Sequence, residues 1–315
     1  METVALPDIA VPVSRLGLGG CPLGGHGWGD VDDRNSIAAV NTALERGINF
    51  FDTADIYGLG HSEEILSQAL GAKRHNVVIA SKFGVRRTES GKTVLDNSPE
   101  WLQQALAASL KRLRLDCIPL YYLHWPDGVT PLESAIEALA DCQRRGQIGA
   151  IGLSNVSPEQ LHQACQIARI SVAQVQYSLV DRQLAEDLQE TARRHGVPLV
   201  PWGSLAQGLL TGKYNAQSQF DASDRRSRYE NFTGEKFLSN LKVVDQLRGI
   251  APRYGRSIGQ TAIRWLLDAP GVGSVLFGAK TPEQVIDNLG AMDWKLDASD
   301  HDQLSASTNL SSKAA

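Results

Sequence analysis

The stretch Ile148-Gly149-Ala150-Ile151-Gly152-Leu153-Ser154-Asn155-Val156-Ser157-Pro158-Glu159 decides the fold. Its first residues form a short, strand-like apolar run that stops at polar Ser154 and Asn155. Ser157 then offers a capping hydroxyl, Pro158 a preset first helical φ, and Glu159 a carboxylate beside the positive end of a helix dipole. A second strand-like run, Val172 to Gln176, follows one helix length later. Strand, helix and strand make a βαβ unit, whose strands run parallel.

The same alternation extends in both directions. Strand-like runs occur at Leu16 to Gly20, Ile48 to Thr53, Val77 to Ser81, Ile118 to Leu123, Ile148 to Ser154, Val172 to Gln176, Val197 to Pro201 and Ser274 to Phe277. Eight such runs predict an α/β fold of the (β/α)8 TIM-barrel type. Helical periodicity fills the gaps, as in Glu100 to Leu113 and Gln183 to His195, and Ser98-Pro99-Glu100 and Thr281-Pro282-Glu283 repeat the start signal. Gly203 to Glu235 breaks the rhythm and predicts a long loop and helical excursion after the seventh strand, of the kind that serves substrate or cofactor. Pro7, Pro12 and short apolar pieces predict an N-terminal β-hairpin over one barrel end, and the tail after Leu304 reads as frayed. With no linker or low-complexity tract, residues 1–315 read as one domain.

Charge narrows the partner. There are 31 Lys+Arg against 35 Asp+Glu, a net of -4, so no basic excess exists to neutralise a nucleic-acid backbone. A small-molecule partner is expected instead. No stretch approaches the roughly 20 apolar residues of a membrane span, and the first residues lack a basic n-region, which predicts a cytoplasmic protein with no membrane partner. The cysteines Cys21, Cys117, Cys142 and Cys165 stand singly, without metal or redox spacing. Cys117, Cys142 and Cys165 read as buried small hydrophobes; Cys21, in a Gly-rich loop, is the exception.

Familiar motifs are missing. Gly17-Leu18-Gly19 is followed by Gly20-Cys21-Pro22, so the Rossmann fingerprint fails. Gly91-Lys92-Thr93 resembles the end of a P-loop, but Arg86 stands where its first glycine belongs. There is no G-x-S-x-G elbow and no H-E-x-x-H pair.

Barrel enzymes gather their chemistry where strands end. The second run ends Phe51-Asp52-Thr53-Ala54-Asp55-Ile56-Tyr57-Gly58, the third Ser81-Lys82, the fourth Leu123-His124-Trp125-Pro126. Adjacent strands lie about 5 Å apart, so Asp52, Lys82 and His124 should converge, with Tyr57 just beyond. An ammonium beside a phenol lowers its pKa, so Lys82 is expected to tune Tyr57, with Asp52 keeping Lys82 charged and His124 polarising the same carbonyl oxygen. Taken singly each residue has a plainer reading: a structural ion pair, a core histidine, a packing aromatic. Their joint placement at three consecutive strand ends favours chemistry.

Asp52-Thr53-Ala54-x-x-Tyr57-Gly58, Lys82 and His124-Trp125-Pro126 together resemble the Asp-Tyr-Lys-His tetrad of the aldo-keto reductase superfamily, and the resemblance runs from about Leu16 to Asn288. Tyr57-Gly58-Leu59-Gly60-x-Ser62-Glu63-Glu64 and Asp96-Asn97-Ser98-Pro99 look like its bacterial general-stress and inositol-utilisation branch and, more distantly, potassium-channel β subunits. The resemblance implies NADPH-dependent reduction of aldehydes and ketones, with Tyr57 as general acid and no metal.

It also implies how NADP(H) is held. Gly20, Ser154, Asn155 and Gln176 fall at strand ends near the nicotinamide, and Trp202 takes the position of the stacking aromatic. Gly203, Ser204, Leu205, Gln207, Gly208 and Leu209 wrap the pyrophosphate, with Lys213 just after. Gly278 and Lys280 lead into the last helix, whose free N–H groups face the 2′-phosphate, while Gln284 and Asn288 reach adenine. The charge of Lys280 favours NADP over NAD. Gly203-Ser204-Leu205 stands where relatives read Ser-Pro-Leu, and Asp287 replaces a Glu.

Two other readings compete. One is an NADP-binding regulatory subunit with slow turnover; the other is a barrel enzyme using Lys82 as a Schiff-base former. For the substrate, Trp28 and Trp125, with His26 nearby, predict an aromatic pocket, and Arg86 and Arg87 add a tolerance for anionic groups.

Overall fold

The computed structural model describes residues 1–25, 31–221 and 224–306. Eight strands form one sheet: β1 (Leu16–Gly19), β2 (Phe50–Asp52), β3 (Val78–Phe83), β4 (Ile118–Leu123), β5 (Ile148–Ser154), β6 (Val172–Gln176), β7 (Leu199–Trp202) and β8 (Val275–Gly278). All neighbours pair parallel, in the order β7-β6-β5-β4-β3-β2-β1-β8. The ring closes where the Leu199 N–H donates to Gly271 O and the Gly273 N–H to Leu199 O, both at 2.8 Å. The expected runs and the observed strands agree to within two residues at each end.

Helices wrap the ring: α1 (Asp33–Glu45), α2 (His61–Leu70), α3 (Pro99–Leu113), α4 (Leu132–Arg144), α5 (Pro158–Ile167), α6 (Gln183–His195), α7 (Gly234–Ile250), α8 (Ile258–Asp268), α9 (Pro282–Leu289) and α10 (Ala298–Ala306). Each start signal is used. Ser98 accepts the Trp101 N–H, Ser157 and Gln160 form a reciprocal capping box, and Thr281 accepts the Gln284 N–H. Leu304 is buried within α10, so the chain stays helical past the point where fraying was expected, and residues 307–315 lie outside the described region.

Apolar residues split into two cores because a strand's period of two sends alternate side chains to opposite faces. Phe51, Ile79, Tyr121, Ile151 and Ala173 face the helices. Phe50, Ala80, Leu120, Tyr122, Ala150, Val172, Val200 and Leu276 fill the interior. The hairpin Thr3–Val4 with Val13–Ser14 closes the lower end, adding Leu6 and Val13 to the interior cluster. One glycine is dictated by this packing: a Cβ on Gly152 would overlap the Tyr122 ring, which lies across the barrel beneath the mouth.

A second hairpin, Val85–Arg87 with Thr93–Leu95, rises beyond β3. Gly91 turns its tip at φ 80°, which explains the glycine that looked like a P-loop fragment. The excursion after β7 contains short 3-10 turns at Ala206–Thr211, Arg225–Arg228 and Glu230–Phe232. Polar in sequence, it nonetheless has its own aromatic knot: Tyr214, Phe220 and Phe232 meet edge to face at 5.0–5.6 Å. Cys142 is buried as expected, but Cys117 is exposed, because it sits in the turn before β4 rather than in the strand. Among the described residues no helix is long and apolar enough to cross a membrane.

Candidate active site

The inward faces of β2, β3 and β6 meet under the mouth. The Lys82 ammonium donates to Asp52 Oδ1 at 2.5 Å and to the Thr53 carbonyl at 2.8 Å, while Gln174 Nε2 donates to Asp52 Oδ2 at 2.8 Å. Lys82 is fully buried, so a partner is required to offset the cost of desolvating its charge. Its Nζ lies 5.1 Å from the centroid of the Tyr57 ring, and that ring meets His124 edge-on, 5.8 Å between centroids at 80°. The four residues of the expected tetrad are therefore brought together, Asp52 and Lys82 on adjacent strands, His124 just past the end of β4, and Tyr57 on the 3-10 turn Tyr57–Gly60 after β2.

Burial governs the protonation states. Tyr57 keeps some exposure at the mouth, yet the protein around it pushes its pKa well above the usual 10, with Cys21 and Asp52 acting the same way and Arg225 opposing. The net direction is opposite to the one expected from Lys82: burial outweighs an ammonium already engaged by Asp52 and Thr53, and among the described residues no hydrogen bond joins it to the phenol. Burial, reinforced by Lys82, pushes His124 well below the usual histidine value, leaving a neutral imidazole whose buried Nδ1 has no partner among the described residues. Behind the corner, burial and then Glu63 raise the pKa of Asp55, while Glu63 itself accepts from Ser81 Oγ at 2.5 Å and Arg112 Nε at 2.6 Å.

A cavity of about 1110 Å³ opens above this corner. It is larger than the roughly 300–1,000 Å³ of an ordinary small-ligand pocket, room enough for a dinucleotide and a substrate together. Asp52, Tyr57, His124 and Trp125 line one part of it; Trp202, Gly203, Ser204, Leu205, Gln207, Gly208 and Lys213 line another; Gly278, Lys280, Gln284 and Asn288 form the far end. Ala206 and Gln207 both adopt left-handed φ, 45° and 54°, and the buried Gln207 Oε1 has no partner among the described residues. Such strain gathers at ligand clamps, and the orphaned oxygen awaits a donor. The residues fit a nicotinamide dinucleotide.

Several expected contacts are placed differently. Gly20 is wedged against Ser62 and the Asp52 carbonyl and does not line the cavity; Gly19, Cys21 and Pro22 do. Ser154 and Leu209 are buried beneath the surface. Asn155, in left-handed backbone at φ 58°, donates to the His124 carbonyl at 3.1 Å and accepts from Trp202 Nε1 at 3.1 Å, so it fixes the indole rather than facing open space. Gln176 is absent from the cavity wall and Gln174 is present. The Lys280 N–H is taken by Gln284 Oε1 at 2.7 Å, so the start of α9, which α10 follows and which is therefore not the last helix, does not offer that group freely. Arg86 pairs with Asp96 at 2.7 Å and stacks over Trp101, away from the cavity, whereas Arg87 lines it. Trp28 and His26 lie outside the described residues. Lys82, locked on Asp52 and shut off from the cavity surface, is unsuited to Schiff-base chemistry, and that reading falls.

Sequence reasoning gave no site role to Gln174, Arg225 and Tyr229, and set Cys21 apart from the other cysteines without placing it at the cavity. The period of two made Gln174 and Gln176 equally inward, and only strand height separates them. Arg225 belongs to a loop whose path no periodicity reveals; folded, it reaches 3.9 Å from Cys21 Sγ and lines the cavity with Tyr229.

Known proteins agree with this geometry. Residues 15–309 match the model of the aldo/keto reductase family. The chain is 35% identical over 303 residues to the aldo-keto reductase YhdN of Bacillus subtilis, covering 95% of this chain and 91% of that one. It is 32% identical over 315 residues to an NADH-specific methylglyoxal reductase of Escherichia coli, covering 95% and 96%. The structure of the glycerol dehydrogenase AKR11B4 from Gluconobacter oxydans superposes with a TM-score of 0.90 at 34% identity, covering 97% of this chain and 94% of that one. Eight closed parallel strands, a tetrad at their ends and this match over nearly the whole length have one meaning: the chain belongs to the aldo/keto reductase family, whose oxidoreductases reduce carbonyls with a nicotinamide cofactor.

Proposed function

We propose that the protein reduces aldehydes and ketones to alcohols with NADPH and that Tyr57 delivers the proton. The observation that carries this reading is the edge-on meeting of Tyr57 and His124 above the buried Lys82–Asp52 pair, in one cavity. When bound, the reduced cofactor supplies a hydride to the carbonyl carbon. The raised pKa keeps the Tyr57 hydroxyl protonated at neutral pH, so it donates to the carbonyl oxygen and releases its proton as that oxygen becomes an alkoxide. Neutral His124 orients the same oxygen by a hydrogen bond, and the fixed charge of Lys82 stabilises the phenolate left behind. Trp202, tethered to Asn155, offers a flat face of set orientation.

Preference for NADPH rests on charge at the cavity's far end, where Lys213, Arg226 and Lys280 gather against a cofactor carrying an extra phosphate. Arg226 is held there by Asp224 and Tyr214. The test is oxidation of NADPH and of NADH over a panel of aldehydes, ketones and quinones, including methylglyoxal and glyceraldehyde on the analogy of two relatives, repeated with Tyr57→Phe. Loss of about 10²- to 10⁴-fold in kcat with little change in cofactor affinity is expected. A Tyr57→Phe variant as fast as the parent sinks the mechanism.

A further inference from the structure

We propose that His162 and His195 form a binding site for a first-row transition-metal dication, on the outside of the barrel and independent of the reductase reading above. The two rings come from neighbouring helices. His162 lies within α5 and His195 is the last residue of α6; His162 Nδ1 stands 2.8 Å from His195 Nε2, with ring centroids 5.0 Å apart and planes crossing at 52°. Neither residue lines the large cavity.

The contact has the length that a shared ion requires. Two imidazole nitrogens held side by side on one metal, each about 2.0–2.1 Å from it, are about 2.8–3.4 Å from one another. In the protein alone, one of the two nitrogens carries a hydrogen that the other accepts. Moving that hydrogen to the far nitrogen of its own ring frees both lone pairs, and both rings stay neutral. A turn about each Cβ–Cγ bond then aims the lone pairs at one ion.

The surroundings suit a cation. His195 ends α6, where the negative end of the helix dipole favours positive charge. Flanking guanidiniums are already matched: Arg193 and Arg194 meet Glu190 at 3.0 and 3.6 Å, and Arg169 meets Asp8 at 3.2 Å. His162 is exposed and His195 half-buried, so an ion between them keeps water on its open side, and His195 borders a hollow of about 440 Å³ that has room for it. Among the described residues no three His, Cys, Asp or Glu side chains are placed to hold a metal, so the shell is two imidazoles completed by solvent. Imidazole ligands select Cu²⁺, Ni²⁺ and Zn²⁺ over Ca²⁺ and Mg²⁺, which take oxygen. An ion in this place clips α5 to α6.

The experiment titrates the untagged full chain with Ni²⁺ by calorimetry and follows its Tm with and without the ion, repeating both with His162→Gln and His195→Gln. The parent should bind Ni²⁺ saturably and melt higher in its presence. Each variant should bind at least about tenfold more weakly, because one arm of a two-armed site is gone, and should lose most of the rise in Tm. Mg²⁺ should produce neither effect. Cu²⁺ electron paramagnetic resonance on the parent gives a second reading that needs no variant: coupling to two nitrogens is expected, and coupling to fewer overturns the site. Absence of saturable Ni²⁺ binding by the parent, or equal binding by the parent and both variants, overturns it as well.

Discussion

The corner under the mouth and the roof over the far end serve one cavity but are made differently. The corner is strand: Asp52, Lys82 and Gln174 occupy fixed positions in a hydrogen-bonded register, and their side chains are joined to one another and to Thr53. The roof is loop, folded around the Tyr214–Phe220–Phe232 knot and the Arg226–Asp224 pair. The difference teaches that the barrel fixes the chemistry, while loops decide which molecules reach it.

Substitutions can break this division, beginning with the largest expected effect. Lys82→Met leaves Asp52 buried without its cation and should cost about 3–5 kcal/mol in denaturant unfolding together with nearly all turnover. Adding Asp52→Leu should restore much of the stability and none of the activity; recovered activity would show that the corner is structural only. Gln174→Leu strips one donor from a buried carboxylate and should cost about 1–3 kcal/mol, with kcat falling more than the KM for cofactor.

Next comes acid. The pKa of His124 is lower in the folded chain than in the unfolded one, so the unfolded state takes up more protons as pH falls below the usual histidine value. Stability is full above that value and drains away as pH falls toward the folded pKa. The Tm should therefore drop between pH 7 and pH 5, and His124→Leu should make that drop shallower; an unchanged slope would place the acid sensitivity elsewhere. The roof answers more gently. Lys280→Met should raise the KM for NADPH about tenfold, leaving NADH and kcat nearly unchanged. If both cofactors weaken equally, the far end does not discriminate between them.

Much of this could be read from residue order. Apolar runs, Ser-Pro-Glu starts and the strand-end tetrad all depend on local spacing, and local spacing survives folding. What escaped depended on three-dimensional height or path. Gln174 and Gln176 share a face and differ only in depth; Gln284 turns its amide back onto Lys280; Arg225 reaches Cys21 across a loop. The direction of the Tyr57 shift was missed for a related reason. Proximity of an ammonium was visible in the sequence, but its prior engagement by Asp52 and the extent of burial were not.

The Tyr122 ring lying over Gly152 carries a consequence for how this protein can change over time. Any lineage that gives position 152 a side chain must shrink residue 122 in the same step, because each intermediate overlaps or leaves a void under Lys82. The two positions behave as a single heritable unit, and a mutational library that varies them one at a time will find both immovable.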